Sequence, residues 1–186
     1  DNITVGALAN TKVDKLGNTV YAERRTAPLT AANMSSMAAA IKSTTAAVRD
    51  ITIKGANGVS VTASIALDEN VTDDEALGKV IQAINSKTAD TGVTAFLEVG
   101  SAGAKTIAFR ATANASNLAS GVTVSGAGLA SQALTQTTTV GIDKVDIGTQ
   151  KGAWEALQQV DKAIDKVNTA RGELGAIQTR FEKTVE

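Results

Sequence analysis

The run DENVTDD, residues 68–74, places four acids close together: Asp68, Glu69, Asp73 and Asp74. Clustered carboxylates are what a hard cation such as calcium requires, but the spacing is not that of an EF-hand loop and its central glycine is missing. Asp73 and Asp74 also stand where a helix begins, and negative charge there is favoured by the helix dipole, so the acids read first as a helix start. The chain has no His and no Cys. That removes the commonest general base, the commonest zinc ligand and any disulfide. No nucleophile stands with a base in any recognisable constellation, so the reading is of a non-enzyme with no catalytic, cofactor or metal residues. Asn2, Asn33, Asn70 and Asn114 each begin an N-x-[ST] triplet, a pattern frequent in Ser/Thr-rich chains. Arg24-Arg25 is too short for a basic patch. Trp154 is read as the apolar anchor of a helix before it is read as a ligand-stacking ring.

These residues must be positioned by 186 residues that are 43% hydrophobic, yet only 3% aromatic. A core built from Ala, Val and Ile buries less area per residue than one built on large rings. The net charge of -1 supplies no general attraction to nucleic acid or to an anionic membrane, and neither is an expected partner. No apolar run approaches the roughly 20 residues of a spanning helix. No charged-then-apolar leader follows Asp1, and both ends read as cut, so the expectation is a piece of a longer chain.

Alternation dominates the middle. In ITIKGANGVSVTASIAL (51–67), Val59, Val61, Ala63, Ile65 and Leu67 share one face, and Asn57-Gly58 predicts a hairpin. TDDEALGKVIQAINSK (72–87) predicts a helix with a Thr72/Glu75 capping box and an apolar stripe of Leu77, Val80, Ile81 and Ile84. GVTAFLEVG (92–100) and KTIAFRATA (105–113) alternate again, with Val93, Ala95, Leu97 and Val99 on one face of the first, and Ile107, Phe109 and Ala111 on one face of the second. The unit 51–113 therefore reads β-β-α-β-β, its helix laid on one face of a sheet against Val59, Val61, Ile65, Val93 and Leu97. Ala111 to Ile142 contains no charged residue and predicts neutral strands and loops. In the first fifty residues, Ile3, Val5 and Val20 suggest short strands, and 29–50 reads as a helix capped near Thr30.

From about Gln150 the period turns helical, with Thr149 as N-cap. Leu157, Val160, Ile164 and Val167 alternate spacings of three and four, and the row continues through Arg171, Leu174, Gln178, Phe181 and Val185, with Ile177 beside it. A rod of about 50 Å carrying such a row gains little stability alone and needs a partner face. Gly172 and Gly175 interrupt good helix formers. Either packing tolerates them or a neighbouring helix approaches closely there.

VDIGTQKGAWEALQQVDKAIDKVNTARGELGAIQTRFE (145–182) resembles the C-terminal region of bacterial flagellins. Leu174, Gly175, Ala176, Ile177, Gln178, Arg180 and Phe181 match the family's closing motif, while Thr179 stands where Asn is usual. GVSVTASIA followed by DDEALGKVIQAINSKTADTGVTA, within 58–95, resembles the flagellin IN module of filament and cap proteins. The resemblance implies an α+β chain: a β-rich variable outer domain over 1–145, with the IN-like module at about 51–113, and a C-terminal helix of a rod-like inner domain over 146–186, truncated. It implies a secreted, extracellular structural subunit of the flagellum. Leu157, Val160, Ile164, Val167, Leu174, Ile177 and Phe181 would pack subunits and helices. The implied partners are other flagellin subunits, the export chaperone and the cap. The vertebrate innate receptor TLR5 recognises the inner helix in many species, and by motif alignment Val160, Ile164, Thr169 and Leu174 fall in that segment. The alternatives are a hook-filament junction or cap protein, or an adhesin or host-receptor-binding module.

Overall fold

The computed structural model describes residues 16–18, 21–100, 102–112, 121–137 and 141–185. Their architecture is mixed α+β, two antiparallel sheets and a long C-terminal helix, as the sequence predicts. The chain divides into two compact units, Val20–Thr138 and Asp1–Thr19 with Thr139–Glu186. The strands expected around Ile3, Val5 and Val20 lie outside the described residues.

The larger unit opens with β1 (Tyr21–Arg25). Helix α1 (Ala31–Lys42) follows, capped by Thr30, whose hydroxyl accepts from the Asn33 N–H while the Asn33 side chain accepts from the Thr30 N–H. The Ser-Thr-rich stretch after Lys42 ends the helix that had been expected to reach residue 50. Ser, Thr and Thr at 43–45 offer the backbone side-chain bonds outside a helix, and only the single turn α2 (Ala46–Arg49) follows. Strands β2 (Asp50–Lys54) and β3 (Ser60–Ser64) form the predicted hairpin. At its tip Gly58 has φ 80°, and the Asn57 side chain accepts from the Val59 N–H. Helix α3 (Asp73–Asn85) has the expected capping box, the Glu75 carboxylate accepting from the Thr72 N–H at 2.9 Å. The turn α4 (Thr88–Thr91) leads into β4 (Val93–Val99) and β5 (Lys105–Thr112). The neutral stretch then supplies β6 (Thr123–Gly126), β7 (Leu129–Ala133) and β8 (Thr135–Thr137).

The β-β-α-β-β order is present, but the two hairpins do not share a sheet. One sheet runs β4-β5-β1-β8 and the other β3-β2-β6-β7. Each hairpin takes its next neighbour from outside 51–113: β5 pairs with β1, and β2 with β6. Strands remote in sequence thus occupy the positions through which the hairpins could have joined. Both sheets and helices α1 and α3 enclose one core, in which Ile51, Ile53, Phe109 and Ile107 from the sheets meet Met37, Ile41, Leu77, Val80 and Ile84 from the helices. Ile81 is only partly buried, and Val59, Leu67, Leu97 and Val99 are exposed. The predicted faces are therefore covered only along part of each strand. A seven-residue strand spans more than the width of the helix above it, and its second half runs past the core. Gly128 sits where α1 crosses the β6–β7 turn. A Cβ there would lie 2.7 Å from the Ser36 carbonyl oxygen, and its φ is +76°, so the close approach requires glycine.

In the smaller unit, Ile142 donates its N–H to the Leu16 carbonyl at 3.0 Å. A short 3-10 turn, Ile142–Lys144, leads to α5 (Gln150–Val185). Thr149 caps it as expected, its hydroxyl accepting from the Gly152 N–H at 2.9 Å.

Candidate assembly surface

Three of the four acids of 68–74 are engaged structurally, and Glu69 is exposed. Asp68 pairs with Lys79 at 3.0 Å and accepts from the Asn70 N–H. Those bonds, the Lys79 bond foremost, hold its carboxyl below its ordinary value. Asp73 accepts from the Ser35 hydroxyl, tying α3 to α1, and Asp74 pairs with Lys105. Glu75 is held low by its bonds to the Thr72 backbone and then to its hydroxyl. Among the described residues no group of three or more His, Cys, Asp or Glu could hold a metal ion, and no helix is long and apolar enough to cross a membrane. Arg25 pairs with Glu98 at 2.8 Å. Asn33 is used as a capping residue and Asn70 is exposed, while Asn2 and Asn114 lie outside the described residues.

Helix α5 carries the residues that the sequence singles out for packing. Leu157, Val160, Ile164, Val167, Leu174 and Phe181 are all exposed, Leu157 at 60% and Ile164 at 54%, and Ile177 is partly buried. From Leu157 to Phe181 the row extends about 36 Å. The covered face is another one. Gly152, Ala156, Gln159 and Ala163 are buried, and they lie about a quarter turn from the row formed by Leu157, Val160 and Ile164. Gly17 accounts for part of this: a Cβ there would stand 2.5 Å from the Gln159 carbonyl oxygen and 2.6 Å from the Ile142 side chain. Small residues on α5 let this chain's own loop approach, and the larger apolar residues are left outward. Sequence reasoning missed that face because Gly, Ala and Gln carry little hydropathy signal. The spacing of four and three from 152 to 163 was the signal available.

Thr169 also faces outward, its hydroxyl donating to the Asp165 carbonyl at 2.9 Å. The four residues that motif alignment assigns to receptor contact, Val160, Ile164, Thr169 and Leu174, are thus all exposed. Arg171 and Arg180 are exposed, and Trp154 is partly buried near the start of the helix. A Cβ at Gly172 or Gly175 would meet nothing within 4 Å. No other segment among the described residues approaches α5 there.

A second set of polar contacts was not anticipated. Both backbone groups of Ala95 in β4 are taken by one side chain, Asn85 at the end of α3, at 2.7 and 3.0 Å. Thr91 and Thr88 do the same for Val93. These bonds close the outer edge of β4 where it meets α3 and α4. No known family model matches the chain, and no solved structure matches it significantly.

Proposed function

We propose that this chain belongs to a structural subunit of the bacterial flagellar filament, a flagellin, acting in assembly rather than catalysis and working outside the cell. The observation that carries the reading is the exposed apolar row from Leu157 to Phe181 on α5, ending in the Leu174–Phe181 motif that resembles the flagellin C-terminal signature. A helix that exposes such a row, interrupted only at Arg171 and Gln178, is stabilised by a partner helix. Helices of neighbouring subunits are that partner in this reading. Residues 20–138 form a compact unit with its own core, which in this reading corresponds to the variable domain of the subunit.

Immunogold electron microscopy of the source bacterium, with antibodies raised against the purified chain, tests this. Label along the whole length of the flagella is expected. Label confined to the tip or to the hook junction would transfer the reading to a cap or junction protein. Label on the cell body alone would refute it.

A further inference from the structure

The edge strands β4 and β3 differ in how their outward groups are met. On β4, Asn85, Thr88 and Thr91 occupy the outward groups of Ala95 and Val93. On β3 no comparable bond is made by any of the described residues. Gly55 donates to Val59, and Ile65 donates to Arg49. In the antiparallel β2–β3 register this directs residues 59, 61, 63 and 65 toward β2. The N–H and C=O groups of Ser60, Thr62 and Ser64 consequently point away from the sheet. Their side chains are exposed. Strand β3, Ser-Val-Thr-Ala-Ser, contains no charge and no proline, the usual devices that blunt an open edge.

We infer that β3 is a self-pairing edge: a second copy of this chain adds its own β3 antiparallel, across a two-fold axis at Thr62. The occupant follows from the strand itself. Read in either direction, its outward-bonding positions run Ser, Thr, Ser. A two-fold at Thr62 places Thr62 opposite Thr62 and Ser60 opposite Ser64 of the second copy. Hydroxyl pairs of this kind are favourable across strands, and no like charges oppose one another. A two-fold contact requires such a self-complementary patch. The product is a continuous eight-stranded sheet from two four-stranded ones. One short strand pair is a small interface of the weak, transient class, so association is expected only at high concentration or where copies are already held close together. The inference is independent of the role of α5.

Sedimentation of the whole chain over a wide concentration range should show reversible monomer–dimer exchange. Thr62→Lys, at an exposed position, brings like charges face to face and should weaken dimerisation on the order of tenfold. A variant with Leu157, Ile164 and Leu174 all changed to Gln should keep the dimer, which separates this contact from any made by α5. Thr62→Cys should form a disulfide dimer under mild oxidation, since residues in a hydrogen-bonded pair lie about 5.5 Å apart, within disulfide reach. Thr52→Cys, on the next strand, should not. A wild-type chain that stays monomeric throughout, a dimer unaffected by Thr62→Lys, or cross-linking no faster at residue 62 than at 52 would each overturn the inference. Circular dichroism of Thr62→Lys checks folding, and the Thr62→Cys result decides if that variant is misfolded.

Discussion

Replacing Asn85 by Ala tests how the α3–β4 junction is held. Ala95 is 1% exposed, and its N–H and C=O are both bonded by the Asn85 side chain. In the β4–β5 register these groups face away from β5, and β4 is an edge strand, so no other strand among the described residues takes them over. Asn85→Ala leaves one buried donor and one buried acceptor without partners. Each such group costs about 1–3 kcal/mol. Because Asn85 is itself only partly buried, water can reach the gap in part, and the expected loss is about 2–4 kcal/mol. Asn85→Asp keeps an acceptor for the Ala95 N–H but sets a carboxylate against the Ala95 carbonyl, and should be no better than the Ala variant above neutral pH. Urea unfolding followed by circular dichroism measures the loss, with an unchanged slope certifying that stability alone has moved. Hydrogen exchange at the Ala95 amide localises it. A loss under about 0.5 kcal/mol, with the Ala95 amide still protected, would refute the reasoning, since surface changes produce no more than that.

Ile84→Ala should cost about 2–5 kcal/mol in the same urea assay, whereas partly buried Ile81→Ala should cost clearly less; equal losses would contradict the packing of α3. Gly172→Ala and Gly175→Ala face open space and should each stabilise α5 by roughly 1 kcal/mol, read as a higher thermal midpoint of helical circular dichroism. Gly152→Ala should do the opposite, because its Cβ would collide with the Asp146 carbonyl. The Glu75 carboxyl is held below its ordinary value of 4.5, so its contribution is complete above that value and is lost as pH falls through the depressed one. Glu75→Gln should therefore flatten the acid limb of the stability–pH curve; an unchanged limb would show that the capping box does not sense ionisation.

What could be read from the sequence was what rests on neighbours in the chain. The Thr72/Glu75 and Thr149 caps, the Asn57-Gly58 turn and the existence of β4 and β5 as paired strands each depend on residues a few positions apart, and each is in place. The predicted inward and outward faces of β4 and β5 hold only in part, because residues 107–111 are buried on both faces and Leu97 and Val99 are exposed. What could not be read depends on partners far away. The sorting of the two hairpins into separate sheets is decided by β1 and β6, about 85 and 70 residues from the strands they join. The same remoteness hid Asn85, which reads locally as a residue that ends a helix, while its bonds go to a strand beyond an intervening turn.

Helix α5 shows where the two kinds of information part. Its row from Leu157 to Phe181 was plain from spacing, and spacing says only that something apolar must meet it. A straight helix lets a heptad row drift by about 20° per repeat. The row that begins a quarter turn from the covered face therefore moves toward that face as it approaches Leu174 and Phe181. By then the chain's own cover, which among described residues reaches from Gly152 to Ala163, has ended. Drift and cover are out of step along the helix, and no rotation of α5 about its axis buries the whole row against this chain's described residues. A partner running alongside and supercoiling with α5 would follow the drift and cover the row from end to end. That is the physical reason to look for the partner in a neighbouring helix, and to expect Leu157, Ile164, Leu174 and Phe181 to lose exposure together when it binds. Hydrogen–deuterium exchange along α5, with and without assembled subunits, reads this directly. Protection gained evenly from 157 to 181 is the expected result, and protection confined to one end would remove the case for a supercoiled partner.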